Sequence, residues 1–315
     1  MRSGRHCSFP AFACAFTFIL LVVMNALGMS SYRTGVVLRK TLLFPSTTTE
    51  VAKTTRTSRL GDGCYHVFMD VGANIGVHGR FLFEPHLYPD SKSSVPFFDT
   101  KYGQNRSNED YCVFSIEANP SHWPRLKNLS DAYAAVGWRL NYVQAAAGDQ
   151  NGTMVFYHQG QHDTVNSEWG FSLRKGGAED ATAVDVPTVR LAEWIQHEVL
   201  EREVPEIPPS GRHYPKPILG IKMDIEGSEY IVLPDLMLSG VFCQLDYLFG
   251  EGHAVNSPYN FAGQRADLST VESTVQFEAA MRLVLHGSRN CQAEYLPGFD
   301  DESYLHDGMP FPDPN

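Results

Sequence analysis

Residues 65–79 read YHVFMDVGANIGVHG, and this stretch decides the fold. Three apolar residues that begin at Val67 predict a short strand, which ends in the carboxylate of Asp70. The chain then turns through Gly72 and Gly76 before a helical pattern begins. Glycine lets a backbone adopt positive φ and approach a ligand closely, and the first N–H groups of a helix are unpaired. The stretch therefore predicts a ligand-binding turn between a strand and a helix.

The spacing of the glycines argues against a dinucleotide at this turn. The dinucleotide fingerprint is Gly-x-Gly-x-x-Gly, whereas the order from Asp70 onward is Asp-x-Gly-x-x-x-Gly. A nucleotide-dependent oxidoreductase is therefore disfavoured. A carboxylate at the strand end repels a diphosphate but suits a cationic ligand, and S-adenosylmethionine carries both an ammonium and a sulfonium. A glycine-rich turn without any ligand is the alternative.

Length and charge limit the classes of protein that fit. The chain has 315 residues, enough for one large α/β domain with an appended segment. Its formal net charge is -11 with few basic runs, so nucleic acid is not expected as a partner. The expected α/β domain covers residues 64–298. Residues 299–315 form an acidic, proline-containing tail that is expected to be loosely ordered.

An apolar run without a charge covers residues 9–29, which is long enough to cross the core of a bilayer. It predicts an uncleaved signal anchor after a short cytosolic tail, residues 1–8. The bulk of the chain then lies in the lumen of the endoplasmic reticulum or Golgi, as in a single-pass type II membrane protein. The segment from Ala26 to Gly28 resembles a cleavage site, so a secreted protein is the alternative. Residues 30–63 are rich in Thr and Ser and predict a flexible stem.

Sequons and cysteines agree with an oxidising lumen. N-glycosylation sequons begin at Asn105, Asn128 and Asn151. The four cysteines beyond the predicted anchor and its flexible stem are Cys64, Cys112, Cys243 and Cys291. They permit two disulfides in three pairings, among which the sequence does not choose, and their spacing fits no zinc motif.

An acid also follows the strand predicted at residues 112–116. Glu117 at that strand end is placed to accept both hydroxyls of a ribose. It comes late in the chain because residues 85–111, rich in Pro, Ser, Asp and Asn, form an irregular insertion near the ligand mouth. A solvated acid without a ligand is the alternative for this position.

Two further strand ends carry polar residues. Asp224 and Glu226 follow one buried strand, and Glu251 and His253 follow the next. The carboxyl ends of parallel strands meet at the edge of an open α/β sheet where ligands bind. These side chains are therefore expected to converge. Lys222, inside the first of these strands, needs a carboxylate partner or a route to the surface.

The remaining elements are read from local patterns. A strand is predicted to run into Ala147, and the Asn-Gly pair at Asn151 predicts a hairpin with a returning strand over residues 153–158. A last helix is predicted over residues 271–285, followed by a strand pair near residues 291–296. Strands that alternate with helices in this way indicate an α/β fold with a parallel sheet.

Five segments together resemble the successive motifs of the FkbM family of S-adenosylmethionine-dependent O-methyltransferases. They are FMDVGANIG at residues 68–76, FSIEANP at 114–120, AAGDQNGT at 146–153, VPTVRL at 186–191 and IKMDIEGSE at 221–229. The resemblance runs from Val67 to His253. Its most specific part is Lys-x-Asp-x-Glu-Gly-x-Glu in the last segment.

The resemblance implies a class I methyltransferase fold, which is Rossmann-like and doubly wound with a mostly parallel seven-stranded sheet. It also implies S-adenosylmethionine as the cofactor. The residues implied for its amino-acid end are Asp70, Gly72, Asn74 and Gly76, with Glu117 for the ribose and Ala147, Gly148 and Asp149 for the adenine. Asp224 would face the reactive methyl group.

Methyl transfer requires an aligned acceptor oxygen and removal of its proton. His253 is the candidate general base, and Asp224, Glu226 and Glu251 would orient the acceptor. Alternatives are a histidine that is only hydrogen-bonded in a loop, and a divalent metal ion held by the acids, which is not predicted. His78, on the first helix, is expected to be a packing or surface residue.

The expected function is O-methylation of a glycan or another hydroxylated acceptor in the secretory pathway. A catalytically silent ligand-binding or glycan-binding domain on the same fold is the alternative. The chain departs from the family pattern in its anchor, its stem, the insertion at residues 85–111 and the glycines within residues 249–253. Because of these departures, the resemblance does not define the identity of the acceptor.

Overall fold

The computed structural model describes residues 58–158, 170–175, 181–253, 270–287, 291–301, 303–304 and 307–313. The predicted cytosolic tail, the signal anchor and most of the stem lie outside these residues, so they stay predictions. Within the described ranges, no helix combines the length and the apolar character needed to cross a bilayer.

In this part of the chain, nine strands form two sheets. The strands are β1 His66–Val71, β2 Tyr111–Glu117, β3 Arg139–Gln144, β4 Ala146–Gly148, β5 Gly152–His158, β6 Thr182–Arg190, β7 Leu219–Met223, β8 Tyr247–Gly250 and β9 Glu294–Pro297. The larger sheet has six strands in the order β3-β2-β1-β7-β8-β9, and every neighbouring pair is parallel. The predicted α/β class with a parallel central sheet is confirmed. Within the described residues the central sheet has six strands, whereas the resemblance implies seven. Of the strand pair predicted near residues 291–296, the described residues contain β9.

The smaller sheet differs from the predicted hairpin. Its order is β4-β6-β5, so β6 lies between the two strands that the Asn151 turn connects. β6 is parallel to β4 and antiparallel to β5 along the whole of β5. An Asn-Gly pair favours a local turn, but the partner of each strand depends on residues far away in the sequence. The hairpin prediction is therefore wrong, although the chain does turn there.

Helices cover both faces of the central sheet. They are α1 Val77–Phe83, α2 Ser94–Tyr102, α3 Trp123–Ala135, α4 Leu191–Trp194, which continues as a π-helical turn over Ile195–Leu200, α5 Glu229–Leu238 and α6 Thr270–Gly287. Alternate residues of β1 pack into different apolar clusters. Val67 and Met69 join one cluster with α4, α5 and α6, while Phe68 joins another with α1, α2 and α3. Both faces of the parallel sheet are thus buried, as this class of sheet requires.

Residues 85–111 belong to the core and are not an irregular insertion. They contain α2, whose Phe98 and Tyr102 are buried in the same cluster as Tyr88. Phe98 and Tyr102 lie four positions apart and therefore share one face of the helix. The prediction of an irregular loop is wrong because the many polar residues and prolines around these rings conceal their helical spacing.

Two aspartates in the described part of residues 299–315 are buried, contrary to the prediction of a loosely ordered tail. Asp301 is 3% exposed and Asp307 is 7% exposed. Asp307 Oδ2 lies 2.7 Å from Arg80 Nη1 on α1, and Asp301 accepts the N–H of Ser94 at 3.0 Å. Buried carboxylates need such partners. The acidic composition of the segment does not reveal them, because the partners are more than two hundred positions away.

Two disulfides select one of the three pairings that the sequence allows. They are Cys64–Cys112 and Cys243–Cys291. The first joins the chain just before β1 to the second residue of β2, and the second joins the segment before β8 to the segment before β9. Both bridges therefore lie at the amino ends of sheet strands, opposite the edge where ligands bind.

The winding of the sheet reverses between β1 and β7. The chain moves outward from β1 to β2 and β3, and it later returns to β7 on the other side of β1. The loops that leave these two strands diverge, and such a switch point forms a crevice for a ligand in α/β sheets. The candidate site is therefore built on the segments that follow Val71 and Met223.

Candidate active site

The glycine turn after β1 packs directly against the end of β7. Gly72 has φ 79°, and a Cβ at this position would lie 1.7 Å from the carbonyl oxygen of Asp224. Gly76 has φ 85° and immediately precedes α1, where a Cβ would lie 2.9 Å from Leu126 Cδ2. Both positions combine positive φ with a close neighbour, so glycine is required for the turn to form.

Asn74 lies at the tip of this turn in an uncommon conformation. Its φ is 50°, in the left-handed region that few residues other than glycine adopt. Its N–H donates to Glu117 Oε2 at 2.6 Å. Its side-chain Oδ1 is buried and has no hydrogen-bond partner among the described residues. Since buried polar atoms are normally bonded, this oxygen is available to a donor group of a ligand or to water.

Glu117 is positioned at the end of β2 by two backbone groups. Oε2 accepts the N–H of Asn74, and Oε1 accepts the N–H of Asn119 at 2.7 Å. His122 Nδ1 lies 3.5 Å from Oε1. The residue is 6% exposed. An ionised carboxylate offers about four acceptor positions, so Glu117 can still bind the hydroxyl groups of a ligand.

A cavity opens between these loops at the carboxyl edge of the sheet. The predicted site residues that line it are Gly72, Asn74, Glu117, Ala147, Asp224, Glu226, Glu251 and His253. The predicted cofactor residues outside its lining are Asp70, Gly76, Gly148 and Asp149. An apolar part of the wall comes from Ala146 together with Phe156 and Phe171, whose rings stack at 5.2 Å.

Asp70 lies inside the sheet and does not touch the cavity. It is fully buried, and its register neighbours on β2 and β7 are Ser115 and Lys222. Burial raises the pKa of Asp70, while the charges of Lys222 and His78 oppose this rise. Neither carboxylate oxygen has a hydrogen-bond partner in the described part of the chain. Asp70 therefore interacts electrostatically with Lys222 and His78, which both line the cavity.

Lys222 is 2% exposed, and the prediction that it needs a carboxylate partner is confirmed. Its Nζ lies 3.1 Å from Asp224 Oδ2 and donates to the carbonyl oxygen of Gly72 at 3.1 Å. Burial by itself lowers the pKa of Lys222, but Asp224, Asp300 and Asp70 raise it above its ordinary value. Lys222 is therefore a fixed positive charge that ties the ends of β1 and β7 together.

Four carboxylates surround His253, which follows β8. Nδ1 lies 3.2 Å from Glu229 Oε1 and 3.7 Å from Asp224 Oδ1. Nε2 lies 3.4 Å from Glu251 Oε2 and 3.9 Å from Glu226 Oε1. Burial by itself lowers the pKa of His253, but the surrounding glutamates raise it to about 11. The raised pKa favours the protonated imidazole at neutral pH, and the general-base role of His253 stays a prediction.

Glu229 is missing from the residues predicted for the site. Its Oε1 accepts the N–H of Ile225 at 2.7 Å, and its Oε2 accepts the N–H of Gly227 at 2.8 Å. These bonds hold the turn in which Glu226 adopts φ 53°. Glu229 thereby positions both Glu226 and His253. An acid in the first turn of a helix is the signal that could have identified it.

The sequence model of the methyltransferase FkbM domain matches residues 70–284, more than half of the chain. The chain belongs to the FkbM methyltransferase family. No curated protein and no solved structure matches it. The FkbM match includes every residue predicted for the site and ends before β9 and the C-terminal segment.

Three residues of this FkbM site can also hold a metal ion. One ligand atom each from Asp224, Glu229 and His253 lies within 4.8 Å of the others. Carboxylate oxygens suit hard divalent cations, and imidazole suits transition metals. Both oxygens of Glu229 already accept backbone N–H groups, so an ion would compete with the bonds that hold the turn. A chelator experiment decides whether Glu229 binds a metal ion or only holds the turn.

Two further residues of the cavity wall are His78 and Asp300. His78 Nε2 lies 2.9 Å from Asp300 Oδ1, and both side chains are 7% exposed. His78, expected to be a packing or surface residue, is thus a buried polar residue at the cavity. Asp300 lies beyond the FkbM match, and no local pattern connects it to a site more than two hundred positions earlier in the chain.

Proposed function

We propose that this FkbM-family protein is an S-adenosylmethionine-dependent O-methyltransferase that acts on a hydroxylated acceptor, a glycan of the secretory pathway. The observation that carries the proposal is one cavity lined by two chemically different sets of residues. Asn74 and Glu117 follow β1 and β2, and the part that they line is called the first end. Asp224, Glu251 and His253 follow β7 and β8, and the part that they line is called the second end. The first end suits the cofactor of the family, and the second suits an acceptor hydroxyl.

The residues at the first end fit S-adenosylmethionine. The unpartnered Oδ1 of Asn74 is an acceptor for donors at the amino-acid end, and Glu117 retains acceptor positions for ribose hydroxyls. Ala147 lines the cavity close to the apolar wall that contains Phe156, which suits an adenine ring. These residues would hold the cofactor between the ends of β1, β2 and β4.

When bound, S-adenosylmethionine would supply a methyl group to the acceptor oxygen, with its carbon–sulfur bond broken, S-adenosylhomocysteine as the leaving group and the hydroxyl proton lost from the acceptor. The chain must align this hydroxyl and receive its proton. A protonated His253 donates a hydrogen bond but cannot receive a proton. We therefore assign proton acceptance to the carboxylates of Asp224 and Glu251, which His253 and Lys222 hold in place.

The charge of the second end supports a neutral acceptor with several hydroxyl groups. Asp224, Glu226 and Glu251 all line the cavity, and carboxylates accept hydrogen bonds from hydroxyls. The same charges repel acceptors that carry carboxylate, phosphate or sulfate groups. Unsubstituted hydroxyls of a sugar match this surface.

The cofactor assignment is tested with Glu117→Ala. The variant loses charge-assisted hydrogen bonds of about 1.5 to 3 kcal/mol each, so the affinity for S-adenosylmethionine should fall at least about tenfold. Isothermal titration calorimetry measures the affinity, and thermal unfolding checks that the variant folds. Glu109→Ala, at an exposed glutamate outside the cavity lining, is the matched control and should bind like the wild type. Unchanged affinity in Glu117→Ala would sink the ribose assignment.

Turnover is tested separately from binding. Mass spectrometry of glycans from cells with and without the protein should show methylated species that depend on the protein. Retained binding of S-adenosylmethionine with no methylated product on any glycan pool would favour the catalytically silent domain.

We also propose that the domain faces the lumen of the endoplasmic reticulum or Golgi, anchored through residues 9–29. Two disulfides support an oxidising compartment. The sequon residues Asn105 and Asn128 are exposed, as glycosylation requires. Protease added to sealed microsomes should leave the domain intact, and a glycosidase should shift its mass. A protease-sensitive, unglycosylated product would reverse the orientation, and release into the medium would indicate a cleaved signal peptide.

A further inference from the structure

The C-terminal segment brings a carboxylate to the cofactor end of the cavity. Asp300 and Asp301 both line the cavity, although they lie beyond residues 70–284, which contain the family match. Asp300 lies against His78 on α1, the helix that follows the glycine turn. Part of the cavity wall therefore comes from outside the FkbM domain.

The two carboxylate oxygens of Asp300, a residue of the cavity lining, differ in their contacts. Oδ1 lies 2.9 Å from His78 Nε2 and accepts the N–H of Asp301 at 2.7 Å. No donor from the described residues bonds to Oδ2. Burial by itself raises the pKa of Asp300, but His78 and Lys222 lower it below the ordinary value of an aspartate. Asp300 is therefore an ionised, largely buried acceptor, and such a group binds a cationic donor strongly.

Asp301 fixes this part of the segment on α2. Its Oδ2 accepts the hydroxyl of Ser91 at 2.6 Å and the N–H groups of Ser93 and Ser94 at 2.9 and 3.0 Å. Asp301 thus bonds the N–H groups at the start of α2, as a helix cap from a distant part of the chain. The segment at the start of α2 therefore sets the place of Asp300.

Asp307 provides a second attachment for the segment. Its Oδ2 lies 2.7 Å from Arg80 Nη1 and 2.9 Å from Arg125 Nη2. Arg80 also donates to the carbonyl oxygens of Met309 at 3.0 Å and Pro310 at 2.7 Å. The side chains of Arg80 and Asp307 are both fully buried in this pair. Since a buried charge that loses its partner is strongly destabilising, the segment is held firmly to α1.

We propose that Asp300 binds the α-ammonium group of S-adenosylmethionine, so that the C-terminal segment completes the cofactor site. This inference rests on the proposed function. With Glu117 assigned to the ribose, the amino-acid end lies at the turn after β1, and there Asp300 lines the cavity with Gly72 and His78. An ammonium group has three N–H donors and a positive charge, so it matches Oδ2 of Asp300, to which no donor from the described residues bonds.

Two ligands that differ only in the ammonium group provide the test. They are S-adenosylhomocysteine and its deaminated analogue, which keeps the adenosine, the sulfur and the carboxylate. Calorimetry on the full chain in detergent should show that the wild type binds S-adenosylhomocysteine about tenfold more tightly than the analogue. In Asp300→Asn, the affinity for S-adenosylhomocysteine should fall by the same factor and the affinity for the analogue should not change. Asp90→Asn, at an exposed aspartate outside the cavity lining, is the matched control and should keep the full preference.

The possible results are distinguishable. Equal loss of affinity for both ligands in Asp300→Asn would mean a purely structural role and would overturn the inference. Equal affinity of the wild type for the two ligands would overturn it without any variant. A wild type that binds neither ligand would overturn the proposed function itself. Asp300→Glu keeps the charge and should retain part of the preference, so it serves as the second variant if Asp300→Asn does not fold.

Discussion

At the amino ends of its central strands the molecule is cross-linked and aromatic, whereas at the carboxyl ends it is charged and conformationally strained. Both disulfides lie at the amino ends, and the hydroxyls of Tyr102 and Tyr247 meet there at 2.7 Å. Among the described residues, the positions other than glycine with positive φ are Asn74 and Glu226, both at carboxyl ends. Strain persists only where the surrounding structure enforces it, and it is concentrated at functional sites. Stability and chemistry are thus assigned to opposite edges of one sheet.

Two histidines show how far the two edges differ. His66, at the amino end of β1, accepts the N–H of Ile218 at 3.0 Å and stacks on Tyr111 with ring centroids 5.1 Å apart. Burial lowers the pKa of His66 to about 4. The pKa of His253, at the other edge, is raised to about 11. Burial alone lowers the pKa of either residue, so the opposite outcome at His253 comes from the carboxylates around it.

The comparison predicts the largest functional effect at the carboxyl ends. Asp224→Asn keeps the shape of the side chain but removes a proton acceptor, so turnover should fall by roughly 10² to 10⁴. Binding of S-adenosylhomocysteine should change little. Methyl transfer to glycans measures the first quantity and calorimetry the second. The control is Tyr214→Phe, whose ring lies 4.5 Å from that of His66 at the amino end of β1, and it should keep normal turnover. Full activity of both Asp224→Asn and His253→Ala would refute the site.

A chelator distinguishes direct proton acceptance by the carboxylates from metal binding. If the carboxylates receive the proton directly, the chelator should leave turnover unchanged. If activity is lost and a divalent ion restores it, then Asp224, Glu229 and His253 hold a metal, which lowers the pKa of the acceptor hydroxyl instead. The first result assigns proton acceptance to these side chains, and the second assigns metal binding to them.

The next largest effect concerns stability at the amino ends. The double replacement Cys64→Ser with Cys112→Ser should lower the free energy of unfolding by about 2 to 5 kcal/mol, because the unfolded chain loses a constraint. The folded protein should bind S-adenosylhomocysteine as before. Urea unfolding and calorimetry measure these quantities. Cys243→Ser with Cys291→Ser is a matched comparison, since both bridges span 48 positions. A drop in affinity that follows the loss of stability would show that the two edges are coupled.

The parts of the molecule that the sequence predicts are those with local signals. The apolar residues before Asp70 and the glycines after it define β1, the turn and α1 within a few positions. Glu117 and Asp224 follow apolar runs of strand length, so their place at the carboxyl edge is predictable from the rule for parallel strands. Each of these predictions needs only the neighbouring residues and one general property of α/β sheets.

The parts that the sequence does not predict depend on partners far along the chain. The place of β6 between β4 and β5, the disulfide pairing and the attachment of Asp301 to α2 are all of this kind. The charge of His253 is another case, because it depends on the distances of its nitrogens to carboxylates on other turns. Local spacing shows which groups are available, but only the folded chain sets their separations.

The smallest predicted effect is the pH dependence of stability at His66. The pKa of His66 is about 4 in the folded protein and near 6.5 in the unfolded chain. Between these values the unfolded chain binds more protons, so stability should fall as the pH falls through this window. His66→Asn keeps an acceptor for the N–H of Ile218 but does not titrate. The wild type should lose roughly 1 kcal/mol more stability than this variant between pH 7 and pH 5.5, as measured by urea unfolding.

At His253 the contribution to stability should depend on pH in the opposite direction, so a variant of His253 is the control for His66. Because its folded pKa is raised to about 11, its contribution is fully present below the unfolded pKa near 6.5 and is lost as the pH rises toward 11. His253→Gln should therefore change the slope of stability on the alkaline side and leave the acid slope close to that of the wild type. Identical acid slopes for the wild type and His66→Asn would mean that burial does not keep His66 neutral. His66 and His253 would then differ in their charged neighbours, but burial would not keep either imidazole neutral.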